Sequence, residues 1–206
     1  MSAAPTDRTG ELAGLHVVPD ESARRHAAGT VVVGGSPTRL LRLRGAGARL
    51  LDRLWQGDAV PSGPAATALT RRLLDAGIVH PDWAASPELP APFTIHDVTV
   101  VIPVRGALAP RLLAALGPVG SVVVVDDASP TPVTVPVRSS HATAVRVVRH
   151  EAQRGPGAAR TTGLGHVTTP LVAFVDADCE PDPDWLDPLL PHFADTEVAM
   201  VAPRIT

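Results

Sequence analysis

Lysine, asparagine and tyrosine are absent from this sequence, and cysteine occurs once. A single thiol, Cys179, excludes an internal disulfide and any cysteine-based zinc cluster. With no histidine pair at i,i+3 or i,i+4 among its eight histidines, a helical histidine metal site is not expected either. The 18 basic residues, all arginine, stand against 21 acidic ones, and a net charge of −3 excludes the basic field of a nucleic-acid binder. A Walker-type loop is missing, which removes the P-loop NTPases. No apolar run approaches the roughly 20 residues that span a bilayer. The polar opening SAAPTDRTGE lacks the apolar core of a signal peptide. A cytoplasmic location is therefore expected, with peripheral attachment to a membrane left open.

What is present is a chain of 206 residues, 45% of them hydrophobic, enough for one medium domain or for a small domain and part of a larger one. Its 22 prolines, its abundant alanine and glycine and its all-arginine basic set read as coding bias rather than as a functional signature.

In chain order, residues 1–14 read as a loose terminus. A compact unit is expected over 15–80. Thr30–Val33 and Leu40–Leu43, separated by Gly34-Gly35-Ser36-Pro37, predict a hairpin. Leu50, Leu51, Leu54 and Trp55 recur at helical spacing over Ala46–Trp55, as do Leu69, Leu73 and Leu74 over Ala65–Ala76. Ile78-Val79 is expected to add a short wing strand, giving a small winged-helix-like α+β domain. The proline-rich stretch Pro81–His96 reads as a linker.

From residue 97 the pattern changes to strands alternating with helices, which predicts a mostly parallel α/β sheet over 97–206. The expected strands are Val98–Val104, Ser121–Val125, Val145–Arg149 and Leu171–Val175, with a further one beginning at Val198–Val201. Helices are expected after Pro110, over the glycine-rich Arg154–Leu164 and over Trp185–Phe193. The apolar run Leu171–Val175 reads as a buried strand and ends in Asp176-Ala177-Asp178. If extended geometry persists, both carboxylates face one way at the strand's carboxyl end, where open α/β sheets bind ligands. Paired carboxylates repel, and a hard cation such as Mg²⁺ or Mn²⁺ bridging to phosphate oxygens relieves that repulsion. A solvated acidic turn is the plainer alternative.

Asp126 and Asp127 follow the second strand and can accept hydrogen bonds from a base or ribose, or else cap a turn. The Gly155–Arg160 loop opens a helix whose amino end favours anions, and Arg160 on its first turns can reach a phosphate or a base carbonyl; a surface arginine is the plainer reading. Arg160 stands where a dinucleotide fingerprint needs its third glycine, which argues against a nicotinamide site.

Read jointly, Ile102-Pro103-Val104, Val125-Asp126-Asp127-Ala128-Ser129, Gly155-x-x-x-Ala159-Arg160-Thr161-x-Gly163 and Asp176-x-Asp178 resemble the motifs of family 2 glycosyltransferases of the GT-A fold, in order and at family-like spacing. Thr161 departs from the family's usual asparagine. The resemblance implies an incomplete Rossmann-like nucleotide-sugar-binding sheet, the amino-terminal, donor-binding half of the fold. Pro103, Asp126, Asp127, Gly157, Arg160 and Asp176 would line the UDP-sugar site. Asp178, helped by Asp176, would hold Mg²⁺ or Mn²⁺. It implies inverting transfer with a general base from a later segment, beyond Thr206. A truncated chain that binds donor without turnover is the corresponding expectation.

The front unit, GTVVVGGSPTRLLRLRGAGARLLDRLWQG followed by LLDAGIV, resembles PqqD-like domains that bind precursor peptides in ribosomal-peptide pathways. The two halves together resemble the glycosyltransferases of mycofactocin systems. That implies UDP-glucose as donor, a peptide-derived acceptor and maturation-pathway proteins as partners. A non-catalytic peptide- or nucleotide-binding module is the competing reading. A sugar-phosphate nucleotidyltransferase would need a richer glycine and basic signature than Val104-Arg105-Gly106-Ala107 supplies.

Overall fold

The computed structural model describes residues 12–89, 91–136 and 143–203. They separate into two compact units, one of residues 12–89 with 191–202, the other of 91–190 with 203. The expected terminus up to residue 11 and the general base expected beyond Thr206 lie outside the described residues. No helix among those described is long and apolar enough to cross a membrane.

The front unit contains the expected hairpin, β3 (Val31–Gly34) antiparallel to β4 (Arg39–Arg42). Two strands not foreseen from sequence join it: β2 (Arg24–His26) extends the hairpin to three strands, and β1 (His16–Pro19) pairs with β5 (Val79–Asp82). The wing expected at Ile78-Val79 is thus one arm of a separate two-stranded ribbon. It carries the chain through Pro81 and Asp82, which shortens the extended linker. Helices α1 (Gly45–Trp55) and α2 (Pro64–Asp75) form where the leucine spacing places them, and Leu51, Leu54 and Leu73 are fully buried with Leu15, Val32 and Ile78. Leu12, expected to belong to a loose terminus, is 2% exposed and is part of the same core.

The second unit is a four-stranded, wholly parallel sheet in the order β8-β7-β6-β9: β6 is Val98–Val104, β7 Ser121–Asp126, β8 Val145–Arg149 and β9 Leu171–Phe174. Every residue of β6 is buried, and its two faces serve two layers. Val98, Val100, Ile102 and Val104 pack with Val122, Val124, Leu112 and Leu116 on one side, Val101 with Val123, Val125 and Ala159 on the other. This is why the run carries no polar alternation. Helix α4 (Pro156–Leu164) covers the second face. Its Gly163 lies so close that a Cβ there would stand 2.3 Å from Val101 Cγ1.

Several expectations are corrected. β9 is an edge strand: Leu171, Val172 and Ala173 are half-buried and Phe174 is 46% exposed, because among the described residues only β6 pairs with it. An apolar run alone does not separate an edge from a centre. The helix after Pro110 shrinks to α3 (Leu112–Ala115). Trp185–Phe193 forms turns leading into a 3₁₀ segment, Leu190–Ala194, since Pro188 and Pro191 each lack the amide a continuous helix needs. Val198–Val201 is not a strand, and that segment belongs to the front unit, where Asp195 makes a two-pronged ion pair with Arg71 at 2.6 and 2.9 Å.

Candidate functional site

The carboxyl ends of β6, β7 and β9 and the amino end of α4 lie along one edge of the parallel sheet, the edge where α/β folds place ligands. The loops leaving these strands are joined directly. The Gly106 amide after β6 donates to Ser129 Oγ after β7 at 2.8 Å, and the Ala109 amide donates to the Ala177 carbonyl after β9 at 2.7 Å.

Pro103 sits in the central strand, a position that a missing amide hydrogen normally forbids. Here the ladder permits it. The Val101 carbonyl accepts from the Val175 amide at 3.1 Å, so Val101, and Pro103 two residues on, face the β9 side. β9 has ended opposite Val101, and no rung is lost.

Asp126 closes β7 and is fully buried. Its Oδ1 accepts from the Ser129 amide at 2.8 Å, and Oδ2 accepts from the Val133 amide at 3.1 Å and from the Arg149 guanidinium. Burial pushes the carboxyl up, but the hydrogen bonds from Ser129, Val133 and Arg149 outweigh it and bring it down to about 2. Arg149 also donates to the Ser129 carbonyl at 2.8 Å. Between them Ala128 adopts φ +55°, a left-handed conformation that costs a side-chain-bearing residue about 1–2 kcal/mol and favours the smallest residues.

Asp127, 4% exposed, is held as firmly. It accepts from His150 Nδ1 at 2.7 Å and from the amides of Arg154 and Gly155 at 2.8 and 2.7 Å. The His150 contact, with those amides, lowers its pKa against the effect of burial. His150 reaches Thr162 Oγ1 of α4 with its other nitrogen at 2.9 Å. Sequence reasoning missed Arg149 and His150. They meet the two aspartates only because β8 pairs with β7 in the register Asp126↔Arg149, which no local spacing announces.

The other expected residues lie on the open side of the edge. Gly157 has open space where a Cβ would be. Arg160 and Asp176 pair with each other at 2.5 Å, and both are substantially exposed. Extended geometry does not persist past Phe174: Asp176 and Cys179 close a tight turn, with the Cys179 amide on the Asp176 carbonyl at 3.1 Å. The shared-face argument for Asp176 and Asp178 therefore does not apply. Asp178 is exposed and has no partner among the described residues. Thr161 donates to the Gly157 carbonyl one turn back, at 3.1 Å.

Among the described residues no three His, Cys, Asp or Glu side chains stand together as a ready metal site. The donor set at the turn still suits a hard cation of limited demand. Asp178 offers unpartnered carboxylate oxygens, and Mg²⁺ typically takes one or two carboxylates and completes its shell with phosphate oxygens and water.

Comparison with known proteins agrees with this arrangement. The family model for glycosyl transferase family 2 matches residues 99–206. Pre-mycofactocin glycosyltransferases of two Mycobacterium tuberculosis strains, CDC 1551 and H37Rv, are each 42% identical over 196 residues, covering 93% of this chain and 39% of their own length. The match therefore runs through the front unit as well. The mouse polypeptide N-acetylgalactosaminyltransferase 15 is 33% identical over 100 residues, 47% of this chain and 15% of that protein. The chain spans about two fifths of the length of the mycobacterial relatives.

Proposed function

Because this chain belongs to glycosyl transferase family 2, we propose that it binds the donor for a metal-dependent, inverting transfer of a sugar, glucose by resemblance, from a UDP-sugar to a peptide-derived acceptor. The observation that carries this reading is the convergence of Asp126, Asp127, Arg160, Asp176 and Asp178 on the carboxyl edge of one parallel sheet. The likeness to pre-mycofactocin glycosyltransferases supports a mycofactocin precursor as the acceptor, the front unit as the part that engages it and proteins of the same maturation pathway as partners. A cytoplasmic setting is part of the same proposal.

The proposed division of labour rests on the chain's own groups. Pro103 and the buried end of β7 form the floor for the nucleoside. The first amides of α4 and Gly157, with no side chain in the way, present hydrogen-bond donors to the diphosphate. Arg160 exchanges its contact with Asp176 for a phosphate oxygen or a base carbonyl, and Asp176 is then free to accept from a ribose hydroxyl or to join Asp178 as a ligand. Asp178 holds Mg²⁺ or Mn²⁺. A bound divalent cation supplies neutralisation of the charge that develops on the departing nucleoside diphosphate.

Calorimetry with UDP tests the reading. Binding is expected in the presence of Mn²⁺, to weaken at least about tenfold when the metal is chelated, and to weaken similarly in Asp178→Asn, the usual scale for loss of a charge-assisted contact. UDP affinity indifferent to metal and to Asp178 would remove the metal assignment. Absence of UDP binding together with tight binding of a precursor peptide would favour the non-catalytic module.

A further inference from the structure

Asp127, like Asp126 and unlike Arg160, Asp176 and Asp178, is enclosed by protein groups. One oxygen receives His150 and the Arg154 amide, the other receives the Gly155 amide, and the residue is 4% exposed. A carboxylate only accepts, so His150 donates through Nδ1. The second ring nitrogen then reaches Thr162, whose hydroxyl serves as donor or acceptor as required. His150 is itself anchored, with its amide on the Asp126 carbonyl at 2.9 Å and only 6% of its surface exposed.

The network ties three separate places together. The carboxylate belongs to the loop after β7, the imidazole directly follows β8, and the hydroxyl lies on the second turn of α4. The two amides belong to the residues that lead into that helix. Gly155, its N-cap, has φ +89° and caps it with no side chain, and Pro156 supplies no amide. Locally, therefore, the start of α4 has little to hold it, and the long-range contacts to Asp127 and His150 substitute for a cap. Arg160 stands two residues before Thr162 on the same helix.

We propose that Asp127, His150 and Thr162 act as one unit that fixes the 150–155 loop and the first turns of α4 against the end of β7. Asp127 is thus a positioning residue for the donor site rather than a ligand of the nucleoside. This rests on the reading that the edge binds a UDP-sugar. It departs from that reading in one respect: loss of Asp127 acts on the diphosphate side through α4 and leaves base discrimination intact.

Five variants of the whole chain separate the alternatives: Asp127→Asn, His150→Ala, the double variant, and Thr162→Val with Thr162→Ser as its conservative partner. Amide hydrogen exchange over residues 154–160 is measured without ligand, and affinities for UDP and CDP are measured with Mn²⁺. Uracil donates at N3 where cytosine accepts, so the UDP/CDP ratio reports a carboxylate contact to the base. Each disabling single variant is expected to speed exchange over 154–160 and to weaken UDP and CDP alike, by about tenfold, a loss of the size that small misplacements produce. The double variant should bind no worse than its weaker parent, the non-additivity of residues acting as a unit. Thr162→Ser should match the parent protein.

The proposal is overturned if Asp127→Asn alone shifts the UDP/CDP ratio while His150→Ala and Thr162→Val bind UDP normally. Additive losses in the double variant overturn it as well. If the parent chain binds no UDP, the donor-site reading fails on its own, and the exchange data still decide the tether. Unchanged protection at 154–160 in Thr162→Val, the variant least disturbing to folding, would sink it, and faster exchange would sustain it.

Discussion

The front unit buries carbon and, apart from the Arg71–Asp195 pair, keeps its charges near water, whereas the α/β unit buries charge along one edge of its sheet. Buried polar side chains in the front unit are Thr70, Ser86 and Asp195. In the second unit they are Thr99, Asp126, Asp127, Ser129, Thr143 and His150, most of them clustered where β7 ends. Satisfaction differs too. Among the described residues, the buried polar side-chain atoms without a hydrogen-bond partner are Thr70 Oγ1 and Trp83 Nε1, both in the front unit. A core that presents no fixed charged groups tolerates a stray hydroxyl. A sheet edge that must present fixed groups to a charged ligand does not, because a half-satisfied buried network is costly and imprecise.

The sharpest way to break this contrast is to remove one polar group from each unit. Asp126→Ala leaves the Arg149 guanidinium and the amides of Ser129 and Val133 without their acceptor, and it should cost about 3–5 kcal/mol in urea denaturation. Thr70→Val removes an unpartnered hydroxyl at constant shape and should be neutral or stabilising, within about 1 kcal/mol. Equal losses at the two positions would mean that the difference in satisfaction has no energetic meaning.

A smaller effect is expected within α4, where two glycines serve different ends. Gly163→Ala drives a methyl to 2.3 Å from Val101 Cγ1 and should destabilise by about 1–3 kcal/mol as overpacking. Gly157→Ala meets nothing and should leave stability within about 1 kcal/mol, since alanine favours the helix. Weaker UDP binding by a fully stable Gly157→Ala would sharpen the assignment of that position to the ligand side.

The smallest expected effect is spectroscopic. Asp20 in the front unit and Asp126 in the second are both held at about 2. Asp20 owes this first to the Ser22 hydroxyl and to His80, with its side chain 28% exposed, whereas Asp126 lies 1% exposed against Arg149. Added salt should raise the NMR-detected pKa of Asp20 by a few tenths and leave that of Asp126 in place, because screening acts on the solvated pair. Both folded values lie below the unfolded one. Each carboxylate therefore contributes its stability above about pH 4 and loses it as pH falls towards 2. Asp126→Asn should remove part of the acid slope of unfolding that salt does not touch.

How far these features could be read from the residues varies with how local their causes are. β6 and β7 were legible because strands covered on both faces carry unbroken valine runs, and α1 and α2 because their leucines recur every three or four positions. The carboxyl-edge placement of Asp126, Arg160 and Asp178 followed from motif order. What failed was whatever depends on a distant neighbour. Leu171–Phe174 has the composition of a central strand and lies at an edge, because pairing on its outer side is decided elsewhere. His150 acquires Asp127 through sheet register, and Asp195 acquires Arg71 across 124 positions of chain. The turn at Asp176–Cys179 replaced an extended pair of carboxylates for the same reason. β6 bonds to the chain as far as the Val175 amide, and beyond it Pro103 has no amide hydrogen with which to continue the ladder.

Pro103 has a consequence at that same place. An unpaired stretch of strand ordinarily invites another backbone to zip on, whether a loop, a neighbouring molecule or an unfolded tail. Past Phe174 the β9 side of β6 offers a proline ring where the next donor should be, and the zipper has no tooth there. Where β6 runs on past β9, one missing hydrogen withholds the next rung, so the pairing of the two strands stops and the turn at Asp176–Cys179 begins.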